Sequence, residues 1–141
     1  MSAFEHVEVA KHDFFMPFSA VLRVPAGADL LFLSGTTALP LFHEHPHIHE
    51  DLNPPEDVQE QTELLMQNMK ACLDAAGADF SDVVRTDVFV TDMNDQDAIG
   101  EVLGKYFKHP YPASTLIQIG QLVDPRVKLE ISAVAAVRPK D

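Results

Sequence analysis

Cysteine is nearly missing from this chain, with Cys72 the single thiol in 141 residues, and ten Lys and Arg face 22 Asp and Glu. One thiol excludes an intramolecular disulfide and a multi-cysteine zinc site. The shortage of basic side chains leaves a formal net charge of -12. Phosphates are held mainly by Lys and Arg, so nucleic acid and anionic membrane are poor partners for such a chain. No apolar run approaches the length of a membrane span. The first six residues lack the basic and apolar regions of a signal peptide, which gives the expectation of a soluble, cytoplasmic protein. Catalytic signatures are missing too. The serines form no G-x-S-x-G elbow, there is no HExxH, and Gly35, Gly77, Gly100 and Gly104 lie too far apart to cradle a phosphate.

The chain does have the means for one core. At 46% apolar content and this length, roughly two-thirds of the unfolded surface can be buried, and no linker, repeat or low-complexity tract divides residues 1–141. Short β-prone runs at 7–9, 19–24 and 29–34 come first. The last two flank Pro25-Ala26-Gly27 and read as a hairpin. A helix is expected over about 55–76, with Asp57 as its cap. Its apolar stripe is Val58, Thr62, Leu65, Met69, Cys72 and Ala76, and Gly77 stops it. Cys72 on that stripe reads as a small core residue. Residues 83–90 alternate as a strand, 95–107 read as a second helix, and 115–119 and 127–137 as the closing strands. The order β-β-β-α-β-α-β-β, with helices grouped on one side of a mixed sheet, predicts an α+β domain.

Two features stand outside this pattern. Glu130 is an acid in the middle of an apolar strand, and alternation aims it away from Leu129 and Ile131. The connection from Thr36 to Pro54 has no periodicity, and long loops inside compact domains are usually functional. It carries His43, His45, His47 and His49. If extended, the run sets these on one side at a repeat of about 6.6 Å. A solvated loop, a substrate-lining or pH-sensitive loop, and a metal site all remain open readings. No metal or other cofactor is expected. His6, His12 and His109 read as surface or satisfied core residues.

Several stretches resemble the reactive intermediate deaminase (RidA-like, enamine/imine deaminase) family. They are Leu31-Phe32-Leu33-Ser34-Gly35-Thr36, then Asn68-Met69-Lys70-Ala71-Cys72-Leu73 through Ala76-Gly77, then Asp82-Val83-Val84-Arg85-Thr86 and Phe89-Val90-Thr91-Asp92-Met93. Tyr106-Phe107, Tyr111-Pro112-Ala113-Ser114 and Val127-Lys128-Leu129-Glu130-Ile131 follow. The resemblance runs over about residues 18–137. It implies a chorismate-mutase-like fold, a homotrimer whose three sheets form an inner barrel, and a small-molecule pocket at each subunit interface.

On that resemblance Glu130 is the catalytic group, positioning the water that attacks an imine carbon. Phe18, Ser34, Gly35, Thr36, Leu103 and Ser114 are the substrate-binding residues. The chain also departs from the pattern. Ser114 stands where relatives carry an arginine for the substrate carboxylate, and Phe18 stands where a tyrosine is often found. Gly100 and Leu103 replace an Asn and a Tyr, and Thr36 replaces a Gln. Arg23, Arg126 or a loop histidine are the candidates to replace the lost cation. The implied function is hydrolysis (deamination) or tautomerisation of a small enamine or imine, neutral or aromatic-derived. A non-catalytic metabolite-binding trimer is the alternative, and a metal-dependent variant using the histidine loop is a further one.

Overall fold

A computed structural model describes residues 2–140. Four strands form its main sheet: β3 (Asp29–Thr36), β4 (Val83–Val90), β5 (Ala113–Gln118) and β6 (Leu129–Val137), in the spatial order β3-β6-β4-β5. β6 is antiparallel to both of its neighbours, whereas β5 runs parallel to β4. A parallel pair needs a crossover, supplied here by α3 (Gln96–Leu103). Both α3 and the long α2 (Val58–Ala75) cover one face, where Leu65, Met66, Met69 and Leu73 meet Val88, Val90, Leu129, Ile131 and Ala135. The domain is a mixed α+β sheet with its two main helices on one side, as the sequence leads one to expect.

Local chemistry sets the ends of α2. The Asp57 carboxylate accepts a hydrogen bond from the Glu60 N–H at 2.9 Å, which satisfies one orphan donor of the first turn. Gly77 adopts a φ of +73° just past the helix, a conformation that costs glycine little. The buried stripe includes Thr62, Leu65, Met69 and then Leu73; Cys72 is half-buried on its flank and Ala76 is exposed. Cys72 stands two heptads past Val58, where a straight helix has drifted about 40° off the seam, and Ala76 lies just beyond the last helical residue, Ala75, as the C-cap.

Three further expectations are corrected. Residues 19–24 and 29–34 do not form a hairpin. Strand β2 (Leu22–Arg23) pairs with β1 (Glu5–His6) in a separate two-stranded ribbon, and β3 takes β6 as its partner. Burial decides this: the ribbon lays Phe4 and Leu22 over Val84, Ala136 and Val134 on the sheet's other face, and β6 offers β3 a longer apolar partner. Val83 and Val84 exchange faces relative to simple alternation, because a bulge interrupts the β4–β6 register between Val83 and Arg85. Finally, the second helix ends at Leu103, and Gly104, Lys105 and Tyr106 continue as turns.

The connection after β3 is fastened at both ends. Asn68 on α2 donates to the carbonyls of Thr37 (3.0 Å) and Leu39 (2.8 Å). A short helix α1 (His49–Leu52), not anticipated, buries Leu52 against Leu39 and Val127. Gln61, fully buried, donates to the carbonyls of Pro55 and Arg126 and accepts from the Lys128 N–H, tying the loop's exit to the approach of β6. Among the described residues no helix is long and apolar enough to cross a membrane.

Candidate active site

The site residues expected from the sequence separate onto the two faces of the sheet. Phe18, Leu103 and Ser114 border one cavity of about 610 Å³ on the helix-covered side. Register explains its floor. Because β5 is parallel to β4, Ser114 lies opposite Thr86 and Leu116 opposite Val88, and the Thr86 hydroxyl donates to the Ser114 Oγ at 2.8 Å. Helix α3 contributes Leu103 beside the bare backbone of Gly100. The N-terminal segment closes the roof with Phe15 and Phe18. That segment is pinned where the Ser19 N–H donates to the Pro112 carbonyl at 3.1 Å, and where Phe15 meets Tyr111 edge-on at 5.9 Å.

The cavity's charge is one-sided. Asp97 and Glu101 line it, and among the described residues no Lys, Arg or His does. A carboxylate ligand buried here without a cation would be costly. The proposed replacements for the arginine do not reach it within one chain. Arg23 is exposed and lies 3.9 Å from Glu5. Arg126 forks onto the buried Asp124, with Nε donating to Oδ1 at 3.0 Å and Nη2 to Oδ2 at 2.8 Å. Hydrogen bonding from Arg126 holds the Asp124 carboxyl down at about 2. None of the loop histidines lines the cavity.

Ser34, Gly35 and Glu130 lie on the other face. Strand β3 keeps register with β6 through Leu33 opposite Ala133 and resumes at Thr36 opposite Ile131. Ser34 and Gly35 therefore share the place of one partner, a β-bulge. The half-buried Glu130 carboxylate fills the notch beside it: a Cβ on Gly35 would stand 2.6 Å from Glu130 Oε2. Only glycine leaves that space. Burial raises the Glu130 pKa, and among the described residues no neighbouring charge offsets the effect. Thr36 follows the bulge but is buried, and its hydroxyl donates to the Ser34 carbonyl at 3.2 Å.

Strand β4 measures the separation of the two groups. Ser114 pairs with Thr86, which faces the helices, and Glu130 pairs with Phe89, three residues along and facing the opposite way. One small ligand cannot touch both within a single chain. Sequence reasoning missed Phe15 and Phe107 as cavity residues, and only the aperiodic N-terminal segment could have signalled the first. The histidine run is not extended either: His43, His45 and His47 fold onto one another with ring centroids 4.6–4.9 Å apart. His49 leaves them to begin α1, 3.6 Å from Asp124.

The family described as Endoribonuclease L-PSP matches residues 11–137. The Myxococcus xanthus protein DfrA is 41% identical over 120 residues, covering 84% of each chain. The Arabidopsis thaliana Reactive Intermediate Deaminase A, chloroplastic, is 33% identical over 121 residues, which is 86% of this chain and 59% of that protein. Among solved structures, Escherichia coli TdcF with bound serine has a TM-score of 0.64 at 35% identity, covering 82% of this chain and 85% of its own.

Proposed function

The chain belongs to the reactive intermediate deaminase (Endoribonuclease L-PSP) family, and on that premise we propose that it hydrolyses a small, neutral or aromatic-derived imine or enamine at a pocket shared between subunits. The observation that carries the reading is the Glu130 carboxylate, half-buried in the Gly35 notch with nothing to neutralise it. A carboxylate whose pKa is pushed up is a better base toward water. In the proposed step Glu130 takes a proton as water oxygen bonds to the imine carbon, and the C=N electron pair moves to nitrogen. Glu130 returns that proton to the nitrogen, then takes the proton of the adduct's hydroxyl as C=O re-forms and passes it on to the departing nitrogen, which leaves as ammonia with Glu130 ionised again. Imine and water become carbonyl and ammonia. An enamine enters the same route after protonation on carbon.

The open sheet face supports the shared pocket. Phe32 there is 77% exposed and Ile117 45%, and a closed homotrimer that joins three sheets into a barrel would cover both. It would also set one chain's Glu130 notch opposite its neighbour's Ser114 cavity. The apolar lining from Phe15, Phe18, Leu103 and Leu116, with two acids and no cation, suits a neutral substrate. It does not suit the carboxylate-bearing imines named for one relative, a 2-iminobutanoate/2-iminopropanoate deaminase of Dermatophagoides farinae. A charge of -12 repels a phosphate backbone and opposes the ribonuclease activity in the family's description. A cytoplasmic catabolic setting fits the reading.

A coupled assay tests it. A pyridoxal-dependent dehydratase supplies 2-aminoacrylate, and imines of neutral and aromatic amines are offered in parallel. The wild type is expected to favour the neutral imines, Ser114→Arg to gain on 2-aminoacrylate, and Glu130→Gln to lose on the order of 10²- to 10⁴-fold in turnover. Unchanged turnover in Glu130→Gln overturns the reading. Ligand-induced thermal shifts without turnover would establish a non-catalytic binding trimer instead.

A further inference from the structure

His43, His45 and His47 serve no part of the cavity or the Glu130 notch, yet among the described residues they are the group of His, Cys, Asp and Glu side chains whose ligand atoms converge closely enough to hold a metal ion. One ring nitrogen from each lies within 4.8 Å of the others. His43 Nδ1 lies 2.8 Å from the Pro40 carbonyl oxygen. A carbonyl only accepts, so the proton sits on Nδ1 and the Nε2 lone pair points toward the other two rings. His43 Nε2 is 3.2 Å from His47 Nε2. Two nitrogens bound at 2.0–2.1 Å to a tetrahedral ion stand about 3.4 Å apart. The spacing is thus already close to that of a shared cation. A ring N–H given to a backbone carbonyl is also how metal-bound histidines are usually oriented.

The scaffold makes this more than a chance cluster of surface rings. On one side Asn68 holds the carbonyls of Thr37 and Leu39. On the other, Leu52 is buried and Arg126 Nη2 donates to the His49 carbonyl at 3.0 Å. The loop tip between these anchors is short, so little ordering is left for an ion to impose on it. Imidazole suits borderline cations such as zinc, and three imidazoles leave a coordination position open to water or a ligand atom.

We propose that His43, His45 and His47 form a three-imidazole site for one borderline divalent cation, zinc foremost, at the tip of the loop joining β3 to α2. The site is separate from the proposed reaction centre, so its test does not read turnover. Untagged full-length protein, stripped with a chelator, is titrated with zinc by calorimetry and with cobalt(II) by absorption spectroscopy. The expected result is one ion per chain at about micromolar affinity or tighter, with the intense visible bands of tetrahedral cobalt. His45→Ala and His47→Ala should each weaken binding on the order of 100-fold. Both positions are exposed, and circular dichroism of each variant verifies that the fold is intact. His12→Ala and His49→Ala should bind as the wild type does. Stoichiometry far below one, an octahedral cobalt spectrum, or equal losses in His12→Ala and His47→Ala would each overturn the proposal.

Discussion

The two faces of the sheet obey different rules. Toward the helices, Leu65, Met66, Met69 and Leu129 are fully buried, and every second residue of β4 and β6 joins them. Toward the open side the same strands present Arg85, Asp87, Phe89, Glu130 and Ser132, while β3 adds the exposed Phe32. Arg85 bonds Asp87 at 2.7 Å and Thr115 at 2.6 Å across this surface. The first face holds the chain folded. The second, beyond the patch that the β1–β2 ribbon covers, holds an uncompensated acid and the exposed Phe32, which stabilise nothing in a lone chain. Residues that make no sense for folding one chain are the ones to examine for assembly and chemistry.

Changes that act on one face and spare the other test this division. The largest effect is expected from Leu65→Ala, which removes a fully buried side chain from the helix face and should cost about 2–5 kcal/mol in denaturant unfolding. Turnover per folded molecule should be unchanged, and a loss of specific activity beyond the loss of folded protein would blur the two faces. Phe32→Asp is the converse. It should leave the far-ultraviolet dichroism intact while sedimentation shows dissociation to smaller species, since the homotrimer proposed above would bury that charge on an apolar face. If assembly survives Phe32→Asp, the open face is not the interface.

The smallest effect concerns Glu130 itself. Its pKa is raised in the folded chain, so the protonated form is favoured by folding, and stability is lost as pH rises through the folded value. Glu130→Gln should therefore melt slightly higher than wild type at pH 7, and the gap should close as pH falls into the ordinary carboxylate range. A lower melting temperature for Glu130→Gln at pH 7 would mean that the carboxylate has a stabilising partner after all.

The helix face was also the legible one. Alternation in residues 83–90 gave β4 to the residue, and Asp57 and Gly77 gave both ends of α2. Periodicity reports burial against the chain's own helices, and there it succeeds. It failed where a single inserted residue resets the pattern, at Val84, and where local turn chemistry lost to a distant partner, at the expected hairpin. Glu130 was conspicuous as an acid among apolar neighbours, but its company was not: the Ser34–Gly35 bulge is a matter of register with a strand nearly a hundred residues away. The cavity drew on Phe15, from a segment with no period at all. The histidines were visible as a run but not as a cluster, because an alternating pattern suggests extension and the pinned loop imposes a fold-back.

The order β3-β6-β4-β5 also has a consequence in time. Strand β6 lies between β3 and β4, and it is the last of the four to be synthesised. Until residues 129–137 are made, β3 has no partner and β4 has only the parallel β5 beside it. At roughly 5–20 residues per second, the nascent chain carries two unpaired strand edges and a half-covered α2 for some seconds. A truncation before residue 129 would leave it in that exposed condition indefinitely.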